Sequence, residues 1–134
     1  MVMPKTGFIW HELMSRDPEA SERFYQAVVG LQVQRQGEGA EAYRFLIAGD
    51  QPIGGLTGPR GDGDGWPSGG PQGHWVGYFA SDDVDEAARR ATSLGGVVLL
   101  GPLDIPGTGR VAVLRDPDEA VFGLFQRAAP EGER

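Results

Sequence analysis

From residue 8 the chain alternates. Phe8, Trp10, Glu12 and Met14 fall on one face of an extended segment, and Ile9, His11 and Leu13 on the other. Apolar and aromatic residues dominate and neither Gly nor Pro interrupts them, so the segment reads as a strand. The period then changes. Asp17 is suited to cap the free N–H groups of a helix, and Pro18 fits its first position, where a missing N–H costs nothing. Glu19 and Glu22 sit near the positive end of that helix, and Ala20, Phe24, Ala27 and Val28 recur at helical spacing before Gly30 stops it. Further strands are predicted at 31–34, 43–48 and 53–57, with turns at 37–39 and 49–52. This first unit is βαβββ.

Residues 58–73 lack periodicity and are dominated by Gly, Pro and Asp, the composition of a linker. Their one large apolar residue, Trp66, reads either as packing locally on an exposed loop or as a lid over a pocket. A strand over 74–80 follows. Asp83 then caps a second helix, with Glu86 placed to complete a capping box. Val84, Ala87, Ala88, Ala91 and Leu94 form its buried stripe, and Gly95-Gly96 ends it. Strands at 97–100, 110–114 and 121–126 are separated by turn-rich stretches at 101–109 and 116–119. The second unit is again βαβββ.

The two units match at one offset. Asp83, Gly96, Leu99, Arg110 and Asp116 stand 66 residues after Asp17, Gly30, Val33, Arg44 and Asp50. A register kept from helix start to final turn marks a duplication. Neither half has enough sheet to cover its helix alone. The expected fold is therefore α+β: two βαβββ modules in tandem forming one curved, half-open mixed sheet around a cavity, with helices outside. Module one covers 7–57, the linker 58–73, module two 74–126 and a frayed tail 127–134.

Composition narrows the function. The 134 residues make one domain with a real core. There is no Cys, hence no disulfide and no thiolate metal site. A formal net charge of −7 disfavours nucleic acid and anionic membrane surfaces as partners. No signal-peptide pattern or membrane-length apolar run is present, so a cytoplasmic location is expected.

The stretches WHELMSRDPEASERFY, HWVGYFASDDVDEAARRATSLGG and GRVAVLRDPDEAVFGLF resemble the vicinal oxygen chelate superfamily, the group of glyoxalases, bleomycin-resistance proteins and extradiol dioxygenases. The resemblance runs from about Gly7 to Gln126. One departure is Glu119, where the family's hairpin usually has Gly, which implies a different turn geometry. Metal-dependent members carry His and Glu ligands on the first and last strand of each unit. The corresponding positions here are Trp10, Val76 and Gly123, with Thr57 as the match of Gly123 in module one. The first three offer no ligating side chain and Thr57 is a poor ligand. The expectation is no metal and no cofactor. The resemblance further implies a homodimer.

Two His remain. His11 should point away from the cavity, and His74 lies at the start of its strand on the face of Val76. A one-residue bulge would reverse this and bring His11 inward. Glu12 is the candidate polar group. By alternation it shares a face with Trp10, their side chains roughly 6.5–7 Å apart. It could be a general base, a hydrogen-bond acceptor for a ligand, or a rim residue paired with Arg44 or Arg110. The candidate ligand-binding set is Trp10, Glu12, Met14, Trp66, His74, Val76 and Tyr78, with Phe45 read as core packing. The expected function is binding of a small, partly aromatic organic molecule. The alternative is a lyase, isomerase or dioxygenase-type enzyme using Glu12 or an atypical site of His11, Glu12 and His74.

Overall fold

The computed structural model describes residues 6–37, 43–58, 73–105 and 107–128. Its elements are β1 (Phe8–Met14), α1 (Pro18–Val29), β2 (Gln32–Gln36), β3 (Tyr43–Ala48), β4 (Gln51–Thr57), β5 (His74–Ala80), α2 (Val84–Ser93), β6 (Val97–Ile105), β7 (Gly109–Arg115) and β8 (Val121–Arg127). The class is α+β and βαβββ occurs twice. Two compact units are present, Trp10–Val76 in one, and Met1–Ile9 with Gly77–Arg134 in the other. Among the described residues, no helix is long and apolar enough to cross a membrane.

In the unit of residues 10–76 the strand order is β2-β3-β4-β1, antiparallel from β2 to β4 and parallel between β4 and β1. Leu13, Leu46 and Leu56, one from each of three strands, form its core, and Tyr25, Leu31 and Val33 pack on them. Asp17 caps α1 by accepting from the Ala20 N–H at 3.2 Å, and Gly30 ends it with a left-handed φ of 78°. The apolar residues expected to seat this helix do not do so: Phe24, Ala27 and Val28 are exposed. Polar contacts hold it beside Tyr25. The Ser15 and Ser21 hydroxyls lie 2.7 Å apart, and Arg44 Nε donates to Glu22 Oε1 at 2.8 Å. The Arg44 side chain is 1 % exposed and that of Glu22 15 %.

In the other unit the order is β5-β8-β7-β6, with β5 parallel to β8 and the rest antiparallel. Val84 on α2 packs with Ala112, Leu114 and Leu124, joined by Phe79, Ala87, Ala91, Val98 and Phe122. This is the apolar stripe read from the sequence, except that Leu94 is exposed. The capping box forms only by half. Asp83 accepts from the Glu86 N–H at 3.1 Å, whereas the Glu86 carboxylate turns to Arg89 and Arg90. Arg110 donates to both oxygens of Asp85 and pairs with Asp104 at 3.1 Å. This contact lowers the Asp85 pKa and raises that of Arg110. Strand β6 runs to Ile105, through the Gly101-Pro102 step that the sequence suggests is a turn. The ladder with β7 absorbs that step as register shifts between Val98 and Leu103.

Strand pairing corrects the single offset of the repeat. Glu12 is opposite Gly55 and Tyr78 is opposite Gly123. Glu12 and Tyr78 are 66 apart, but Gly55 and Gly123 are 68 apart. Module one's counterpart of Gly123 is therefore Gly55, and Thr57 lies two residues beyond it. By the same pairing Ala112, opposite Leu124, stands where Arg44 stands opposite Leu56. This agrees with Arg110 being more exposed than Arg44.

The β7–β8 turn also departs from expectation. Glu119 adopts a left-handed φ of 68°, the conformation a Gly would supply there. Asp116 closes the turn by accepting from the Asp118 and Ala120 N–H groups at 2.8 and 3.0 Å. Glu119→Gly is expected to stabilise the protein by about 1 kcal/mol, because the side chain is strained in that region; urea denaturation checks this. Glu22→Ala should cost about 3 kcal/mol in the same assay, because it strips a carboxylate from a buried guanidinium. Glu19→Ala, on the exposed side of α1, should cost far less.

Candidate functional site

Leu13 in the helix-side core fixes the facing of β1. Ile9, His11 and Leu13 share that side by alternation, so Trp10, Glu12 and Met14 project to the other. His11 is exposed, and its backbone carbonyl lies so close to Gly54 that an added Cβ would stand 2.2 Å from the oxygen. The pairing of β1 with β4 runs without a shift from Glu12 to Met14, and Trp10 meets Phe45 on the face where Glu12 meets Tyr43, which leaves His11 on the other side.

On the face away from the helix, Glu12 Oε2 accepts a hydrogen bond from the Tyr43 hydroxyl at 2.9 Å. The Tyr43 ring meets Phe45 edge-on at 4.9 Å between centroids, and Phe45 meets Trp10 edge-on at 6.4 Å. Alternation along β3 explains the grouping: Tyr43 and Phe45 point one way, while Arg44 and Leu46 point toward α1. Phe45 is thus half-buried beside Trp10 and outside the leucine core, contrary to its reading as core packing. Tyr43 was not among the sequence candidates. Its signal was the shared parity with Phe45, which becomes informative once β3 is known to lie two strands from β1. The two arginines considered as rim partners are engaged elsewhere, Arg44 with Glu22 and Arg110 with Asp85 and Asp104.

The remaining candidates are more dispersed. Met14, Val76 and Tyr78 are buried members of the core. His74 is half-buried at the start of β5. Trp66 lies outside the described residues. In the unit that holds it, the Tyr78 ring covers Gly123: a Cβ there would stand 2.3 Å from the ring. A second aromatic set, also not foreseen, joins Phe24, Tyr25 and Trp75, with Trp75 Nε1 donating to the Tyr25 hydroxyl at 3.3 Å.

At the positions that the family resemblance equates with metal ligands stand Trp10, Val76 and Gly123, with Gly55 as the strand-pairing counterpart of Gly123, and none of their side chains offers an oxygen or ring nitrogen suited to a divalent ion. Among the described residues, no three His, Asp or Glu side chains come together as a possible metal cluster.

The chain thus carries βαβββ twice, with a carboxylate and aromatic rings on one sheet face of the unit of residues 10–76. Residues 7–124 match the family model of the Glyoxalase/Bleomycin resistance protein/Dioxygenase superfamily, and the chain belongs to that superfamily. A protein of Mycobacterium tuberculosis named "Putative glyoxylase CFP32" is 42% identical over 126 residues, covering 92% of this chain and 46% of the relative. The anthracycline biosynthesis protein DnrV of Streptomyces peucetius is 33% identical over 136 residues, covering 92% and 48%. The chain thus spans about half the length of the curated relatives it matches. Among solved structures, a variant of Streptomyces coelicolor methylmalonyl-CoA epimerase in complex with 2-nitronate-propionyl-CoA superposes with a TM-score of 0.59 at 22% identity, over 94% of this chain and 97% of that one. That likeness establishes the fold alone.

A carboxylate at position 123, which the family resemblance equates with the last metal ligand, should not create a metal site. Gly123→Glu is expected to lose about 1–3 kcal/mol through overpacking against Tyr78, and to bind no Zn, Ni or Mn by isothermal titration.

Proposed function

We propose that this chain binds a small, flat, partly aromatic organic molecule on the sheet face that carries Trp10, Glu12, Tyr43 and Phe45, and that it does so without a divalent metal. The observation that carries the reading is a carboxylate set among three aromatic side chains on the side of the sheet away from α1. Rings offer stacking area, and a carboxylate offers an oriented acceptor, the usual composition of a small-molecule site. The relatives lend support: DnrV is named for anthracycline biosynthesis, and anthracyclines are flat fused-ring molecules. Pairing with a second copy belongs to the same reading, since Phe24, Val28 and Val29 leave apolar surface exposed along α1. So does a cytoplasmic location.

A second reading has one observation in its favour. The Tyr43 hydroxyl beside the Glu12 carboxylate sets a weak acid next to a base, which suits proton transfer at an enolisable substrate. The superfamily relative named as a glyoxylase is compatible with it.

A thermal-shift screen against anthracycline-type polyketides, planar antibiotics and small keto and hydroxy acids, with product analysis of each hit, separates the two. Binding predicts stabilisation by a fused-ring compound that survives EDTA, weakens about tenfold in Trp10→Ala, is unchanged in His11→Ala, and proceeds without turnover. Turnover abolished by Glu12→Gln would establish the enzyme instead. Stabilisation lost in His11→Ala but kept in Trp10→Ala would refute the assigned face.

A further inference from the structure

Glu12, Gly55 and Phe45 form one row across three neighbouring strands, Glu12 opposite Gly55 in the parallel pair and Gly55 opposite Phe45 in the antiparallel one. Residues in such a row project to the same face, so the middle position decides what flanks Glu12. That position is a glycine, but its backbone does not demand one, because its φ is not positive. The place of Tyr43 depends on it: a Cβ on Gly55 would stand 1.7 Å from the Tyr43 hydroxyl oxygen and 2.5 Å from the ring carbon that bears it, so the tyrosine would have to move. Gly54 next to it is constrained differently, by the backbone carbonyl of His11. The vacancy at Gly55 is therefore filled by Tyr43, which reaches from two residues along β3 to donate to Glu12.

We propose that Gly55 is the seat for Tyr43, and that Tyr43 is a positioning residue that aims the Glu12 carboxylate at the bound molecule. This rests on the binding reading and sharpens it. The Tyr43 hydroxyl donates to Glu12, so the carboxyl group acts here as an acceptor, as a carboxylate does. The group recognised at Glu12 must then bring its own hydrogen: a phenol, an alcohol or an ammonium on a flat ring system, in preference to an ether, a carboxylate or a phosphate.

Two measurements test this. The first needs no ligand. In infrared spectra of protein carrying 13C-labelled Glu, the band lost in Glu12→Gln is that of Glu12. Its carboxylate stretch should shift in the same direction in Tyr43→Phe and in Gly55→Ala. The double variant Gly55→Ala/Tyr43→Ala, which makes room for the new methyl group, should regain thermal stability relative to Gly55→Ala without restoring the band. A purely packing role would restore stability and leave the band where it was throughout. An unshifted band in Tyr43→Phe overturns the positioning role, and that variant alone decides if Gly55→Ala does not fold.

The second measurement compares 2,6-dihydroxyanthraquinone with 2,6-dimethoxyanthraquinone. Wild type should prefer the dihydroxy compound about tenfold, and Tyr43→Phe should bind the two nearly equally. Equal binding by wild type overturns the donor requirement. Failure of wild type to bind either quinone counts against the binding reading, while the infrared result still decides whether Tyr43 positions Glu12.

Discussion

The parallel pairing of β1 with β4 sets both the core and the site of the first module. Leu13 opposite Leu56 fills the space beneath α1, and Glu12 opposite Gly55 faces away from it. Side chains alternate with a period of two, so sliding β1 by one residue would bury His11's neighbours on the wrong side and turn Glu12 into the leucine core. Burying an unpaired carboxylate there would be far more costly than the loss of any one ring contact. The leucines therefore hold the register, and the polar face inherits its geometry from them. The close approach of Gly54 to the His11 carbonyl adds a steric lock at the adjacent pair.

Much of this was legible in the sequence because it rests on local pattern. The strand before Asp17, the Asp-Pro helix start, the Gly30 stop and the Val84–Ala88 stripe follow from alternation, capping and helical spacing, and these hold in the structure. The face assignment of Trp10 and Glu12 is of the same kind. Features that depend on pairing between distant strands were not legible. A single offset of 66 aligned helix starts but could not register the two-residue shift that makes Gly55, rather than Thr57, the partner of Gly123. Tyr43 and Phe45 carried no local sign of proximity to Glu12, because 31 residues separate Tyr43 from it. The Gly101-Pro102 step looked like a turn because local punctuation is ambiguous between a turn and an irregularity inside a ladder.

The seating of α1 departs from its pattern for a different reason. Helical spacing of Ala20, Phe24, Ala27 and Val28 suggests an inward stripe, yet the helix leans on Tyr25 and on the contacts of Ser21 and Glu22 instead. Arg44 explains why. It occupies a core-facing place on β3, where the other module has Ala112, and a buried guanidinium has to be met by a carboxylate. Glu22 on α1 supplies it, and the helix face that carries Glu22 and Tyr25 lies toward the sheet while Phe24, Ala27 and Val28 are exposed. In the other module the same place is small and apolar, and α2 settles on Val84 and Ala88 as its pattern indicates.

The two modules differ at their glycine rows. Both carry a glycine opposite the third residue from the end of the first strand, and in both a tyrosine covers it. In the second module that tyrosine is Tyr78 itself, lying across its own partner Gly123 and closing the row with an apolar ring. In the first module the cover comes from β3, on the other side of the glycine's strand, and the residue opposite the glycine can be a carboxylate. The same backbone vacancy thus yields a packed corner in one copy and a hydrogen-bonded Glu12 in the other. Duplication supplies two equivalent frames. Where the tyrosine is rooted decides which of them can carry a carboxylate opposite its glycine, and here that is the module of residues 10–76.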